Sequence, residues 1–258
     1  MVRNNLAGLF VLALAAEVWG TGAAWAAPAV RDLGTCQRLA EHSPAEALTA
    51  VKEWASHGGG DQARLCRAAA LFQNGEFTAA GEVFESLTAT ARSDRQIAEL
   101  YDRAAWAFLR GGDAARADYL YSRALDRLPD NPEMLVDRGI ARTEIRKYRE
   151  AVADFTAALS HQANRPDVYF YRAAAYRELM DLKSARADLE QSLRLRPGDA
   201  ETLVLRGTVR SQAGDAAGAR LDWQEVIRRD PGSPTGKAAA AALRRLDEPA
   251  QPPAQAPR

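Results

Sequence analysis

Little in this chain suits chemistry or charge-driven binding. Lysine plus arginine and aspartate plus glutamate both number 34, so the net charge is zero. A balanced charge leaves nothing global to draw the chain to nucleic acid or to an anionic membrane. Histidines are only three, His42, His57 and His161. Each stands alone near a predicted helix end, where imidazole faces solvent or meets the last carbonyls. Cysteines are two, Cys36 and Cys66. With three scattered histidines they lack the ligand spacing of a zinc site, and neither cysteine has a paired histidine for nucleophilic chemistry. Gly58-Gly59-Gly60 has no following lysine and no preceding strand, which excludes a phosphate loop. Acidic residues are abundant, but on helices they form mostly solvated faces. No catalytic, cofactor-binding or metal-binding residues are expected, and the chain is read as a non-enzyme.

Long apolar runs are also scarce, and the one near the start has a different character from the rest. Arg3 supplies a positive charge, Leu6 to Ala16 is an unbroken apolar or small-residue run, and Ala24-Trp25-Ala26 places small residues at the two positions a signal peptidase reads. This pattern predicts a secretory signal peptide over residues 1–26. A membrane anchor is the alternative, but its run falls short of the roughly 20 apolar residues a span needs. Glu17, at the end of the run, weakens both readings. Leu33-Gly34-Thr35-Cys36 fails as a lipoprotein box, because Thr35 is too large beside the cysteine and Arg31 and Asp32 interrupt the apolar approach. Export predicts a periplasmic or cell-envelope location, with no membrane span after signal cleavage. In that compartment an even cysteine count suggests one disulfide, Cys36 to Cys66. Two small buried hydrophobes on helices are the other reading.

What the sequence does have is a period. Ala105, Gly139, Ala173 and Gly207 follow one another by 34 residues, as do Ala117, Ala151, Ala185 and Ala219. Tyr121, Phe155, Leu189 and Trp223 form a third series, and Pro129, Pro197 and Pro231 a fourth, with Ala163 standing in once. A fixed period of this length predicts stacked helical hairpins, because one hairpin alone cannot bury its apolar face. The expected fold is all-α, an α-solenoid of antiparallel helix pairs. The regular units are 98–131, 132–165, 166–199 and 200–233, each a first helix of about 13 residues, a short turn and a second helix of similar length.

Upstream, residues 27–60 read as a repeat-like helix pair. Its first helix runs from Val30 to His42, interrupted near Gly34. Its second starts at a capping box, Ser43-Pro44-Ala45-Glu46, and ends at Gly58. Asp61 is the expected cap of the next helix, and residues 61–97 form a degenerate repeat in which Arg95 to Ile97 are extra. Downstream, residues 234–247 read as a capping helix that covers the last apolar face. Residues 248–258 are a proline- and alanine-rich tail expected to be extended and disordered.

These residues resemble the tetratricopeptide repeat family. The match reads as Tyr101, Ala105, Phe108, Ala117, Tyr121, Ala124 and Pro129 in the first regular unit, and as Leu135, Gly139, Ala151, Phe155 and Ala158 in the second. In the third it reads as Tyr169, Ala173, Tyr176, Ala185, Leu189, Ser192 and Pro197, and in the fourth as Leu203, Gly207, Ala219, Trp223 and Pro231. The resemblance implies a superhelix whose first helices line a concave groove. Positions matching the family's groove are Asp102, Trp106 and Arg110; Val136, Ile140 and Glu144; Phe170, Ala174 and Arg177; and Val204, Thr208 and Ser211. Trp106 is the expected anchor, unless it packs against the neighbouring unit. The family's clamp for a peptide C-terminal carboxylate needs asparagine and lysine along this groove, and other residues stand there.

One feature departs from the family's commonest pattern. Arg138, Arg172 and Arg206 are each followed, 16 residues later, by Asp154, Asp188 and Asp222. An arginine–aspartate pair is predicted in each of the last three units; the first has Ala104 and Leu120 at those places. As free groups these arginines would bind an acidic partner, but an aspartate already filling the guanidinium fork favours the structural reading.

The functional expectation is an exported interaction scaffold, whose groove takes a segment of another envelope protein. The alternative is a structural or accessory subunit that self-assembles through its convex face or its ends.

Overall fold

The computed structural model describes residues 30–248. The signal peptide expected at 1–26 lies outside the described residues, as does the expected tail apart from Glu248. Among the described residues there are thirteen α-helices and no strand. They are α1 (Leu33–His42), α2 (Pro44–Ser56), α3 (Gly60–Gln73), α4 (Phe77–Leu87), α5 (Asp94–Arg110), α6 (Ala114–Leu125), α7 (Pro132–Glu144), α8 (Tyr148–His161), α9 (Pro166–Glu178), α10 (Leu182–Leu195), α11 (Ala200–Gln212), α12 (Ala216–Arg229) and α13 (Pro234–Asp247). Each helix packs on the next. The first helices also meet in a row, α5 with α7, α7 with α9, and α9 with α11. The chain is an all-α solenoid.

The period arises from local chemistry repeated at each corner. Residues 112, 146, 180 and 214 close the turn inside each regular unit with positive φ. Gly112 and Gly214 do so at 86° and 85°, while Arg146 and Met180 do so at 60°. Asp113, Asp181 and Asp215 follow and cap the second helices, accepting from the backbone N–H of Arg116, Ser184 and Gly218. Lys147 occupies that place in the second unit and makes no cap. Asn131, Asp199 and Ser233 cap the helices that open the next units.

Size matching sets the contact inside each pair. A Cβ added to Gly139 would lie 2.6 Å from the Phe155 ring, and one added to Gly207 would lie 2.5 Å from Trp223 Nε1. Only glycine lets those rings lie against the first helix. Ala105 shares a fully buried cluster with Tyr121, and Ala173 shares another with Leu189.

Arginine–aspartate forks tie the same helices together. Arg172 donates from Nε and Nη2 to the two oxygens of Asp188, both at 2.7 Å. Arg138 does the same to Asp154 at 3.0 and 2.7 Å, and Arg206 to Asp222 at 3.0 and 2.6 Å. The sequence reading missed what surrounds them. Arg138 Nη1 also donates to Ser122, and Arg172 Nη1 to Thr156, so two forks reach the preceding unit. A second arginine one helical turn on, Arg142 or Arg210, adds a bond to Asp154 or Asp222. In the third unit that position is Tyr176, and Arg172 lies over its ring. Arg142 also reaches back to Asp118 of the first unit, which Lys147 contacts at 2.7 Å. Burial alone would raise the Asp118 carboxyl, but the bonds from Lys147 and Arg142 outweigh it and hold the group below the usual range.

At the N-terminus several boundaries differ from the sequence expectation. Helix α1 starts at Leu33, three residues after Val30, because the Asp32 side chain accepts from Thr35 N at 2.8 Å and fixes the cap there. Ser43 precedes α2 but makes no side-chain cap bond, so the capping box with Glu46 is not formed. Helix α3 opens at Gly60. Asp61 therefore lies in its first turn, where it pairs with Arg64 at 2.9 Å instead of capping. Arg95 to Ile97 belong to α5, because Ser93 caps that helix one turn early through Gln96 N.

Cys36 and Cys66 are bonded to each other, with their Cα atoms 5.8 Å apart, and join α1 to α3. Both are fully buried beside Val30, Val51 and Ala63. At the other end α13 covers Trp223 and Leu203, with Leu243 and Leu246 turned onto that cluster and Arg244 and Arg245 exposed. No described helix is long and apolar enough to cross a membrane.

Candidate interaction groove

The row formed by α5, α7, α9 and α11 carries the positions expected to bind. Four of them come together. Trp106 and Arg110 on α5, with Ile140 and Glu144 on α7, line one cavity of about 450 Å³ that the turn at Gly112 and Asp113 closes. Trp106 is 39% exposed. It neither packs fully into the next unit nor stands free: the Arg110 guanidinium covers it at 5.8 Å from the ring centre, and also lies 5.3 Å from Phe77 of the preceding unit. Cation–π contact of this kind holds an aromatic anchor in place without removing its open face.

The others do not join this cavity. Phe170 meets Tyr171 edge-on at 5.8 Å between ring centres and packs on the cluster around Ala173 and Leu189. Arg177 pairs with Glu178 beside it. The Thr208 hydroxyl donates to Val204 O at 2.9 Å within its own helix. Val136 is 4% exposed and belongs to the core, so it is not a groove position. A helix turns about 100° per residue, so the neighbouring side chain, Asp137, takes the half-buried place instead.

Asp102, one turn before Trp106, also stands half-buried, and burial pushes its carboxyl up to about 6 against a small opposing effect of Arg103. Burial pushes Asp137 up to about 7, helped by the charges of Asp102 and Glu133. Tyr121 of α6 is fully buried, and its hydroxyl has no hydrogen-bond partner among the described residues. Burial drives that phenol upward, followed by the charges of Asp137 and Asp102. Asp137 and the Tyr121 hydroxyl were missed by the sequence reading. The tyrosine appeared there as a packing residue, and nothing in the period marks the aspartate.

Three more cavities lie along the array. One of about 370 Å³ sits where α1 and α3 meet α5, between Leu33, Leu65, Leu87, Leu100 and Arg103. One of about 180 Å³, around Leu182, Val209 and Ala213, repeats the position of the Trp106 cavity two units later. A further one of about 350 Å³, among Val30, Ala50, Glu53 and Trp54, is lined by His57, and His42 and His161 lie apart from all of them. His42 and His57 Nδ1 each sit 2.8 Å from a carbonyl one turn back, and His161 is 3.9 Å from Asp130. Among the described residues no group of three or more His, Cys, Asp or Glu could hold a metal ion.

Residues 136–200 and 175–234 each match the tetratricopeptide repeat family. Solved structures share the fold. The crystal structure of MamA superposes with a TM-score of 0.58 at 13% identity, covering 63% of this chain and 94% of that one. MamA from residue 41 onward of Desulfovibrio magneticus RS-1 gives 0.53 at 18% identity, covering 78% and 94%. YrrB, described as a TPR protein with an unusual peptide-binding site, gives 0.60 at 15% identity, covering 76% and 98%. At these identities the likeness carries the fold alone. No curated protein matches the sequence significantly.

Proposed function

We propose that this chain is an exported tetratricopeptide repeat scaffold that holds a segment of another cell-envelope protein against its row of first helices. The observation that carries the reading is the cavity at Trp106. It is an aromatic side chain held open by Arg110 and flanked by Ile140 and Glu144 at the seam between two units. Tryptophan and arginine are favoured anchors where proteins meet, and a groove between helices accepts an extended or helical segment. The family match over residues 136–234 and the peptide-binding relative of the same fold support the reading.

Export rests on the first 26 residues of the sequence, and the Cys36–Cys66 bond suits an oxidising compartment. Cell fractionation with mass spectrometry of the N-terminus tests it; a cytoplasmic protein retaining Met1 to Ala26 would overturn export. Crosslinking in cells, comparing the parent with Trp106→Ala/Arg110→Ala, tests the groove. The partner is expected to be lost in the variant, and undiminished capture would rule the cavity out. Self-assembly through the C-terminal end is less well supported, because Leu243 and Leu246 of α13 are turned inward.

A further inference from the structure

The buried aspartates of this array have cations, and two half-buried ones do not. Asp118, Asp154, Asp188 and Asp222 are all buried, and each accepts from at least one arginine. Asp102 and Asp137 are half-buried on facing first helices that touch, α5 and α7, and no cationic side chain among the described residues pairs with either. Arg103 and Arg165 act on them only through space. Arg165 is already engaged, donating to Glu133 and Asp167 at 2.8 Å each. Glu99 and Glu133 add further negative charge nearby. In the same cluster as Ala104, Ala105 and Ala141, the fully buried Tyr121 hydroxyl has no hydrogen-bond partner, and the charges of both carboxylates act on it through space. A buried polar group left unpaired costs about 1–3 kcal/mol, and two carboxylates facing each other without a counter-ion add to that cost.

We propose that Asp102 and Asp137 form a subsite for one cationic side chain, a lysine or arginine, of a bound polypeptide whose neighbouring apolar residue fills the Trp106 cavity. This rests on the scaffold reading above and names the chemistry of its partner. Register supports it. Trp106 is four residues beyond Asp102 on α5, and Ile140 three beyond Asp137 on α7, so the acid pair and the cavity lie about one helical turn apart, roughly 5–6 Å. Side chains two apart on an extended segment are separated by about 6.6 Å, which spans both. An ammonium or guanidinium supplies several N–H donors to the two carboxylates and removes their mutual repulsion. With two carboxylates and no third ligand, the site fits an organic cation rather than a metal ion. The sign of the groove is opposite to that of a clamp for carboxylates.

Fluorescence anisotropy on the purified protein at pH 8 provides the test. The probes are labelled, N-acetylated and C-amidated peptides of alternating alanine, leucine and one variable residue: lysine, norleucine or glutamate. The lysine peptide is expected to bind at least tenfold tighter than the norleucine peptide, and the glutamate peptide weakest. In Asp102→Asn/Asp137→Asn the lysine preference is expected to vanish, and Asp137→Asn alone to reduce it. Thermal midpoints at pH 8, equal to or above the parent's, separate lost recognition from unfolding. Equal binding of lysine and norleucine peptides, or a lysine preference that survives in the double variant, overturns the subsite. If that binding still depends on Trp106, the groove reading stands without it. If the parent binds none of the peptides, both fall.

Discussion

Arg172 grips Asp188 with two parallel bonds of 2.7 Å while its third nitrogen reaches Thr156 in the unit before. One side chain thus fixes the pairing inside a unit and the stacking of that unit on its neighbour. Asp188 is 7% exposed. Removing the arginine leaves a buried charge without a counter-ion, the costly way to break such a pair. Arg172→Ala is expected to destabilise by about 3–5 kcal/mol, read from urea unfolding. Arg172→Met/Asp188→Leu is expected to cost much less, since it removes both charges. Equal losses in the two variants would show that packing, and not the ion pair, sets the effect.

Gly207 carries the ring of Trp223, whose Nε1 donates to Val204 O at 3.2 Å. A methyl group there would force the ring off its place. Gly207→Ala is expected to cost about 1–3 kcal/mol despite alanine's better helix propensity. Unchanged or increased thermal stability would contradict this packing.

Met180 has the left-handed backbone that Gly112 and Gly214 adopt at the same place in their units. Its side chain is 67% exposed and gives up little on removal. Met180→Gly is expected to stabilise by about 0.5–1 kcal/mol, the strain relieved less the entropy glycine adds. A destabilised variant in chemical unfolding would argue that the turn tolerates methionine without strain.

The Cys36–Cys66 bond spans 30 residues. Closing a loop of that length restricts the unfolded chain by about 3–4 kcal/mol. In an array whose units contact only neighbours, the loss on reduction should stay local. Hydrogen exchange after reduction is expected to quicken in α1 and α2 and remain unchanged in α7 to α12. Uniform loss of protection along the chain would mean the array unfolds as one body.

Asp102 and Asp137 hold their protons more tightly in the folded chain, up to about 6 and about 7, than an ordinary aspartate near 3.9. Their contribution to stability is therefore full below about pH 4 and is lost as the pH rises through those values. Asp102→Asn/Asp137→Asn should remove this fall, leaving the variant more stable than the parent at pH 8 and similar to it at pH 4. Thermal midpoints across this range check the sign. A variant less stable at pH 8 would show that the carboxylates already have a counter-ion.

The array was legible because its rules are local and repeat. The spacing of Gly139 to Phe155 and of Arg138 to Asp154 is the same 16 residues, so both contacts could be read from one interval. The N-terminal boundaries were less legible. Ser43 precedes its helix with a backbone at φ −145° and ψ 71° that brings no side-chain cap bond, and Asp61 falls inside a helix that opens one residue earlier, at Gly60. At the groove, register placed Trp106, Arg110, Ile140 and Glu144 on one row and they line one cavity, whereas Val136 is buried in the core and the neighbouring Asp137 was overlooked.

The order of residues along the chain by itself determined thirty-four-residue units, helical pairs and the forks within them, since each depends on partners at a fixed interval. Tertiary structure alone decided which side chains from different units meet. Stacking buries Asp118 under Arg142 and Lys147 yet leaves Asp102 and Asp137, on the touching helices α5 and α7, without a counter-ion. The pitch between successive pairs sets those encounters, and that pitch comes from the packing of whole faces, which no single interval encodes.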